Sequence, residues 1–446
     1  MTGAFHHADP GTPEQHWRDA PEWATLPALE LDSRTTACVL VVAAHPDDET
    51  LGAAGLLATA AAAGIDAHVL LLTCGEASHP DSPTQTPDEL ATLRVEETIA
   101  AVSLVHPGAR VTSLGIPDGD VAGHEDEVVT AVVDAVGETG SRTLVCAPWR
   151  HDGHTDHDAA GRAAAVAAHR TDARLLEYPI WLWHRAAPAE APWPLLRRLD
   201  LDPGVRDLKA RAVEVHRSQV APLSDQPGDE TLLHAGVLEH LLRPHETFVA
   251  SPPVTEVTFD RVHEDAADPW SVDSWYERRK RALTLASLPR ERFGRALEVG
   301  CSIGALTAAL SSRCDEVLAL DESGVAVAAA RRRLADQPGV TVDQAHLPLE
   351  WPEGRFDLVV VSEVGYFLSP ARLALLIERA EGCLTDGGTV VLCHWRHDVV
   401  GWPLDGPRVH ELWRSSTRLA LAVEHRETDV LLDVLTDAVD HRADPT

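Results

Sequence analysis

His45, Asp47 and Asp48 fall within one short stretch, Ala44-His45-Pro46-Asp47-Asp48-Glu49. An imidazole beside two carboxylates can hold a divalent metal and move a proton next to it. A second cluster, Arg150-His151-Asp152-Gly153-His154-Thr155-Asp156-His157, supplies further imidazoles. A catalytic zinc takes three protein ligands from His and Asp/Glu and keeps one position open for water. His45, Asp48 and one histidine of the second cluster meet that count. Asp47 neighbours a ligand without having to bind the metal, so it can accept the proton of an attacking water. Helix caps and solvated loop residues would also use these side chains. Crowding titratable groups into a purely structural loop is costly, however, and a metal with a carboxylate base accounts for all of them.

These residues need particular elements beneath them. Residues 38–43 form an uninterrupted apolar run of the kind buried on both faces of a parallel sheet. Residues 48–63 follow as an Ala/Leu-rich helix pattern stopped by Gly64. The second cluster follows another buried-strand pattern at 142–147 and opens a helix pattern at 158–169. Both clusters therefore belong at the carboxyl ends of strands, where open α/β sheets bind ligands.

At these residues the chain resembles the PIG-L/LmbE family of zinc-dependent N-deacetylases, which hydrolyse N-acyl groups on amino sugars and their conjugates. The resemblance runs over residues 38–250. It includes Thr73-x-Gly75-Glu76, Arg94-x-Glu96-Glu97, Leu114-Gly115-Ile116-Pro117-Asp118-Gly119 and His154-Thr155-Asp156-His157. It implies that His45, Asp48 and His157 are the zinc ligands, Asp47 the general base, and a protonated His154 the stabiliser of the oxyanion. Glu76 and Arg94 resemble substrate-contacting positions. The family's His-Pro-Asp-His has Thr155 in place of proline here, which leaves both histidines in position. The products would be a carboxylate and a free amine.

The second half carries a different signature. Residues 295–306 read as a strand, a tight glycine turn at Gly300-Cys301-Ser302-Ile303-Gly304, and a helix start. Glycines there let backbone approach a ligand, and the helix amino end offers free N–H groups. The next strand pattern, 316–320, ends in Asp321, at the offset where a carboxylate hydrogen-bonds ribose hydroxyls. A nucleoside-containing cofactor follows. Glu298, the strand 356–363, the Gly387-Gly388 turn and the strand 389–393 complete a series that resembles the class I S-adenosylmethionine-dependent methyltransferases. The segments 273–280, 362–369 and Cys393-His394-Trp395-Arg396-His397 look closest to nodulation-type N-methyltransferases acting on de-N-acetylated amino-sugar oligomers, over residues 268–440. The resemblance implies that Glu298, Gly300, Gly304 and Asp321 hold S-adenosylmethionine. Gln344-Ala345-His346 stands where many members place an acidic residue beside the adenine. Glu363, His394 and His397 are the candidates for the methyl-transfer site, although both histidines read equally well as hydrogen-bonded core or edge residues.

The expected fold is α/β: two Rossmann-like three-layer domains, each with a mainly parallel sheet flanked by helices. The deacetylase domain is expected over 1–255 with its core at 38–250, a linker over 256–270, and the methyltransferase domain over 271–446. A formal net charge of -32 argues against nucleic acid and anionic membranes as partners. No apolar run approaches the ~20 residues of a transmembrane helix, and residues 1–30 are polar and proline-bearing, unlike a signal peptide. Cysteines 38, 74, 146, 301, 314, 383 and 393 stand singly and read as reduced thiols of a cytoplasmic protein. The partner expected is a small amino-sugar or glycoconjugate substrate, and nothing in the sequence sets an oligomeric state.

The expectation is a bifunctional enzyme: zinc-dependent hydrolysis of an N-acyl group, and methyl transfer onto the liberated amine. In the alternative, the second domain methylates an unrelated acceptor or serves as a cofactor-binding regulatory module. The Asp47-Asp48 pair argues against a non-catalytic binding protein.

Overall fold

The computed structural model describes residues 11–251 and 258–437. The chain divides into two compact units, Met1–Val254 and Thr255–Thr446. Each is built on one seven-stranded sheet.

In the first unit the strands are β1 (Cys38–Ala43), β2 (Asp66–Thr73), β3 (Arg110–Ile116), β4 (Thr143–Pro148), β5 (Arg174–Tyr178), β6 (Leu196–Asp200) and β7 (His245–Val249). Their order is β3-β2-β1-β4-β5-β7-β6. β1 to β5 pair in parallel, and β7 runs antiparallel to both its neighbours. Val39, Val41 and Ala43 point into one apolar layer with the helices Asp48–Ala62 and Pro87–Val105. Leu40 and Val42 point into the other, with Glu125–Val136 and Thr155–Thr171. This double burial is why β1 reads as a continuous apolar run rather than an alternating one. The segment 184–203, whose shape the sequence does not give, ends in the edge strand β6.

The helix opening at Asp48 is tied from beneath by a buried ion pair. Lys209 Nζ lies 2.7 Å from Glu246 Oε1 and donates to the Leu51 carbonyl at 2.8 Å. Glu246 also accepts the N–H groups of Gly55 and Leu56 at 2.7 and 2.8 Å. The approach requires glycine at 55, where a Cβ would meet Glu246 Cδ at 2.9 Å and Leu201 Cδ2 at 2.5 Å.

The helix expected from 158 begins at Thr155 instead, because His154 caps it: Nδ1 accepts the Asp156 N–H at 3.3 Å. The earlier start places His157 within the first turn.

The second unit repeats the plan with β8 (Phe293–Val299), β9 (Cys314–Asp321), β10 (Val340–Gln344), β11 (Phe356–Ser362), β12 (Leu384–Trp395), β13 (Ala420–Arg426) and β14 (Val430–Thr436), in the order β10-β9-β8-β11-β12-β14-β13. β14 is antiparallel to β12 and β13, and the remaining pairs are parallel. The expected linker 256–270 needs correction. It contains the helix Thr258–Asp265, whose Asp260 Oδ1 accepts the Ser323 hydroxyl at 2.6 Å, so this segment packs as part of the second unit. Residues 252–257, which include the start of that expected linker, lie outside the described residues.

Removing one member of a buried ion pair strands its partner. Lys209→Met should therefore lose about 3–5 kcal/mol of unfolding free energy. Lys209→Met combined with Glu246→Leu should lose less than the sum of the single changes. Urea denaturation of the three variants measures this, and additive losses would show that the pair is not coupled.

Candidate functional site

In the first unit β1 and β4 lie side by side where the strand order reverses, and both clusters leave their carboxyl ends. That crevice is where doubly wound sheets bind ligands. Asp48 sits between two imidazoles: Oδ2 is 3.5 Å from His45 Nδ1, and Oδ1 is 3.3 Å from His157 Nε2. The His154 ring centroid is 4.9 Å from those of His45 and His157. One ring nitrogen from each of His45, His154 and His157 falls within 4.8 Å of the others.

A second layer of carboxylates aims these rings. His157 Nδ1 is 2.8 Å from Asp152 Oδ2, and wholly buried Asp152 also accepts N–H groups from Ile180, Trp181 and Leu182. His45 Nε2 faces Asp118 Oδ1 at 3.2 Å and Asp156 Oδ2 at 3.1 Å. Asp156 in turn accepts the N–H groups of Gly119 and Val121. Carboxylate–histidine pairs of this kind set the tautomer and leave the opposite nitrogen for a metal. Asp118, Asp152 and Asp156 stand within the sequence motifs, but residue type and spacing alone assign them no role.

The residues fit a metal. With Nδ1 engaged by Asp152, His157 Nε2 is sealed from solvent and faces Asp48 Oδ1 at 3.3 Å, beyond which it has no hydrogen-bond partner. Burial works against charge on both imidazoles. Even so, Asp118, Asp156 and Asp48 hold His45 well above its ordinary value, and Asp48 and Asp152 raise His157 to about 9. An excess of carboxylate strong enough to charge two buried imidazoles is an environment for a divalent cation. Two nitrogens with one carboxylate oxygen match zinc.

Asp47 is held in the left-handed region, with φ of 113°, a conformation that costs a non-glycine residue about 1–3 kcal/mol. Its N–H donates to Glu49 Oε2 at 3.1 Å, and Arg94 Nη2 reaches Pro46 O at 2.6 Å and Asp47 Oδ2 at 3.3 Å. Burial, opposed by Arg94, pushes the Asp47 carboxyl up to about 6.

Three expectations change. Arg94 is 4 % exposed and also donates to the Gly75 carbonyl, so it holds the loops around Asp47 rather than facing a substrate. Glu76 places Oε1 on the Asp118 N–H at 2.8 Å, while Oε2 is sealed, so it too braces a loop. A protonated His154 is disfavoured: burial, then the charges of His157 and His45, push it down to about 3. Because its Nδ1 accepts the Asp156 N–H, the neutral ring carries its hydrogen on Nε2 and can still donate from there.

The second unit holds a cavity of about 570 Å³. Glu298, Gly300, Ser302 and Asp321 line it from the turns after β8 and β9. Gly300 and Gly304 have φ of 75° and 79°, and a Cβ at Gly300 would meet Val364 Cγ2 at 2.0 Å. Asp321 accepts the N–H groups of Ser302 at 2.8 Å and Ser323 at 2.9 Å. Burial pushes Glu298 up to about 8, with the Asp321 charge adding to the shift. Ala345 and Leu347 give the β10 side an apolar wall. There Gln344, in the region where many members place an acidic residue, donates to the Glu322 carbonyl at 2.9 Å. An apolar slot beside a carboxylate and a glycine turn fits a nucleoside.

Of the methyl-transfer candidates, Glu363 lines the cavity and the two histidines do not. Glu363 Oε1 is 3.0 Å from Lys280 Nζ, and Oε2 accepts the Trp395 N–H at 3.0 Å and the Tyr366 hydroxyl. His394 is wholly buried: Nε2 accepts the Gly365 N–H at 3.1 Å, and Nδ1 meets His410 Nε2, which leads on to Asp433. Burial keeps it neutral, so it is a brace for the 363–366 turn. His397 is half exposed and pairs with Asp429 Oδ1 at 2.9 Å.

Comparison with known proteins finds similarity in both units. Residues 40–168 match the family model of the PIG-L GlcNAc-PI de-N-acetylases, and residues 256–402 match that of nodulation protein S (NodS). Nodulation protein S of Rhizobium tropici is 33% identical over 129 residues, covering 28% of this chain and 54% of that protein. The 1D-myo-inositol 2-acetamido-2-deoxy-alpha-D-glucopyranoside deacetylase of Rhodococcus opacus (strain B4) is 31% identical over 159 residues, covering 30% and 54% respectively. The chain thus spans about half the length of each of these relatives. The crystal structure of N-methyltransferase NodS from Bradyrhizobium japonicum WM9 with S-adenosyl-l-homocysteine is similar at 23% identity and a TM-score of 0.38, over 41% of this chain and 99% of that one. The first unit is therefore similar to the PIG-L deacetylases and the second to NodS. Among the described residues no helix is long and apolar enough to cross a membrane.

The purified protein should bind one zinc per chain and lose it in His157→Ala. Asp152→Asn should weaken zinc by about 10–100-fold, the usual effect of disturbing a ligand's hydrogen-bond partner. Competition with a chromophoric chelator measures both, and wild-type affinity in Asp152→Asn would remove Asp152 from the site.

Proposed function

We propose that the chain is a two-step enzyme that first hydrolyses the N-acyl group of an amino sugar or its conjugate and then methylates the amine so formed. The observation that carries the first step is the pairing of two imidazoles with Asp48, while adjacent Asp47 stays apart with a raised pKa. His45, Asp48 and His157 would hold zinc, which when bound supplies Lewis-acid polarisation of the amide carbonyl and the attacking water. Asp47 takes the proton of that water and later returns it to the leaving nitrogen; a carboxyl near 6 suits both transfers close to neutral pH. Asp152 and Asp156 keep the two ligand rings from rotating. His154, neutral, donates from Nε2 to the carbonyl oxygen as it becomes an oxyanion, an interaction that strengthens toward the transition state.

The cavity of the second unit supports an amine acceptor. Lys280 is flanked by Glu277 at 2.6 Å and Glu363 at 3.0 Å, which leaves one net negative charge in that part of the wall. Burial opposes the Lys280 charge, yet Glu363 and Glu277 hold its pKa above the ordinary value, so it stays protonated and is not a base. Tyr276, Tyr366 and Trp395 add ring faces, surroundings that favour a cationic amine. Glu363 is the carboxylate placed to receive the proton the amine must lose. S-adenosylmethionine, when bound, supplies the electrophilic methyl group. An amide nitrogen is a poor nucleophile because its lone pair is delocalised into the carbonyl. If both units share one substrate, hydrolysis must therefore come first.

The test uses Asp47→Asn, which keeps size and metal but removes the base. Its amide hydrolysis should fall by roughly 10²–10⁴-fold with zinc content unchanged. Given S-adenosylmethionine, wild type should N-methylate both the N-acyl compound and its free amine, whereas Asp47→Asn should methylate only the amine. Mass spectrometry of the products decides. Methylation of the N-acyl compound by Asp47→Asn at the wild-type rate would break the proposed order.

A further inference from the structure

A buried relay in the first unit takes no part in the proposed chemistry, yet it ends on the proposed base. Asp47 stands at the N-cap position of the helix Asp48–Ala62. An aspartate there ordinarily turns its carboxylate onto the N–H groups two or three residues on, which satisfies the helix end. Asp47 does not: its φ is 113°, and it makes no side-chain cap hydrogen bond. Its carboxylate is free for proton transfer only because the backbone is held in a costly conformation, and such conformations persist only where the surroundings enforce them.

The enforcing contacts are buried. The Asp47 N–H donates to Glu49 Oε2 at 3.1 Å, and Glu49 Oε1 accepts the Thr50 hydroxyl at 2.6 Å. His216 Nε2 lies 3.0 Å from the same Thr50 oxygen and 3.5 Å from Glu49 Oε1. A hydroxyl that gives its one hydrogen to Glu49 can only accept from His216. The relay therefore has a fixed sense: His216 donates to Thr50, Thr50 donates to Glu49, and the other Glu49 oxygen remains for the Asp47 N–H. Glu49, Thr50 and His216 are each no more than 1 % exposed, so water does not substitute for any link.

His216 comes from far along the chain, just beyond the helix Pro203–Val215. Its segment is fastened by Glu97, which accepts the Ser218 N–H at 2.9 Å and the Ser218 hydroxyl at 2.6 Å. Glu97 and Arg94 share the helix Pro87–Val105. That helix thus bears on Asp47 twice, directly through Arg94 and again through the segment that presents His216.

We infer that His216 is a positioning residue for amide hydrolysis, holding Asp47 off its own helix cap by way of Thr50 and Glu49. The inference rests on the base proposed above. A polar cluster serving stability alone has no need of a strained Asp47, since the relaxed residue would cap the helix.

Three variants of the full-length chain test it. His216→Leu removes the donor, Thr50→Val removes only the linking hydroxyl, and His216→Gln keeps an N–H at the same reach. In crystals of the first two, Asp47 should relax to negative φ with its carboxylate on the N–H of Glu49 or Thr50, while zinc content stays that of wild type. With N-acetylglucosamine as the probe and fluorescamine detecting the amine, kcat should fall about 100-fold at unchanged KM, the cost of displacing a reacting group by ~1 Å. His216→Gln should keep the wild-type φ and recover most of kcat. Wild-type φ at Asp47 in both His216→Leu and Thr50→Val overturns the assignment, as does wild-type kcat. Parallel loss of zinc and kcat overturns it too, because His216 would then support the metal loop as a whole. A wild-type chain inert toward N-acetylglucosamine would count against the deacetylase reading, whereas the φ of Asp47 in the variants decides the hold on Asp47 separately.

Discussion

Burial of three consecutive carboxylates, Asp47, Asp48 and Glu49, is the constraint on which the first unit depends. None of the three is more than 6 % exposed. Each charge must be met within the protein or neutralised. Glu49 accepts the Asp47 N–H and the Thr50 hydroxyl, with His216 beyond at 3.5 Å. Asp48 has two imidazoles, which overcome burial and hold its pKa well below the ordinary range. Asp47 has Arg94 at 3.3 Å and the charge of His216, which do not offset burial, and its pKa rises. Neighbouring residues of one type are thus driven apart by their surroundings, one toward a permanent anion and ligand, the other toward a proton carrier. The surrounding architecture follows from that need. Arg94 comes from the next helix, Asp152 from the turn after β4, Asp156 from the first turn of the helix that follows it, and the Lys209–Glu246 pair anchors the helix that all three acids open.

The second unit resolves a similar problem by strain. Ser302 and Glu363 both adopt positive φ, 48° and 59°, at the carboxyl ends of neighbouring strands. Neither position is a glycine, so the conformations must be held from outside. Asp321 does this for Ser302 through its N–H. For Glu363 the Lys280 ammonium, the Tyr366 hydroxyl and the Trp395 N–H fix the side chain, and buried neutral His394 fixes the next turn through Gly365. A chain from His394 through His410 to Asp433 and Arg414 keeps that brace satisfied in the core.

Much of this was legible in the sequence because the informative signals were local. The buried strand before His45, the glycine turn after Val299 and Asp321 at the end of the following strand each depend on a few adjacent residues, and each is found where expected. What escaped was set by partners far along the chain. Arg94 reads as a substrate contact until Pro46, Asp47 and Gly75 are seen to enclose it. His394 reads equally as a methyl-transfer residue or a core histidine until Gly365 and His410 are seen to occupy both its nitrogens. The helix Thr258–Asp265 hides in an acidic, proline-flanked stretch whose composition resembles a linker. Its packing depends on Asp260 meeting Ser323, more than sixty positions away. The neutral state of His154 is set first by burial and then by two neighbouring imidazoles from separate strand ends, which no spacing rule encodes.

The central claim is that one metal is held by His45, Asp48 and His157 while Asp47, next in sequence to a ligand, stays off it. An anomalous-difference map at the zinc edge, from crystals of the zinc-loaded protein, tests this most directly. The account predicts a single strong peak in this unit, within bonding distance of one nitrogen of His45, the Nε2 of His157 and an oxygen of Asp48, with Asp47 outside that distance. A peak bonded to Asp47, or one centred between His45, Asp118 and Asp156 instead, would contradict it.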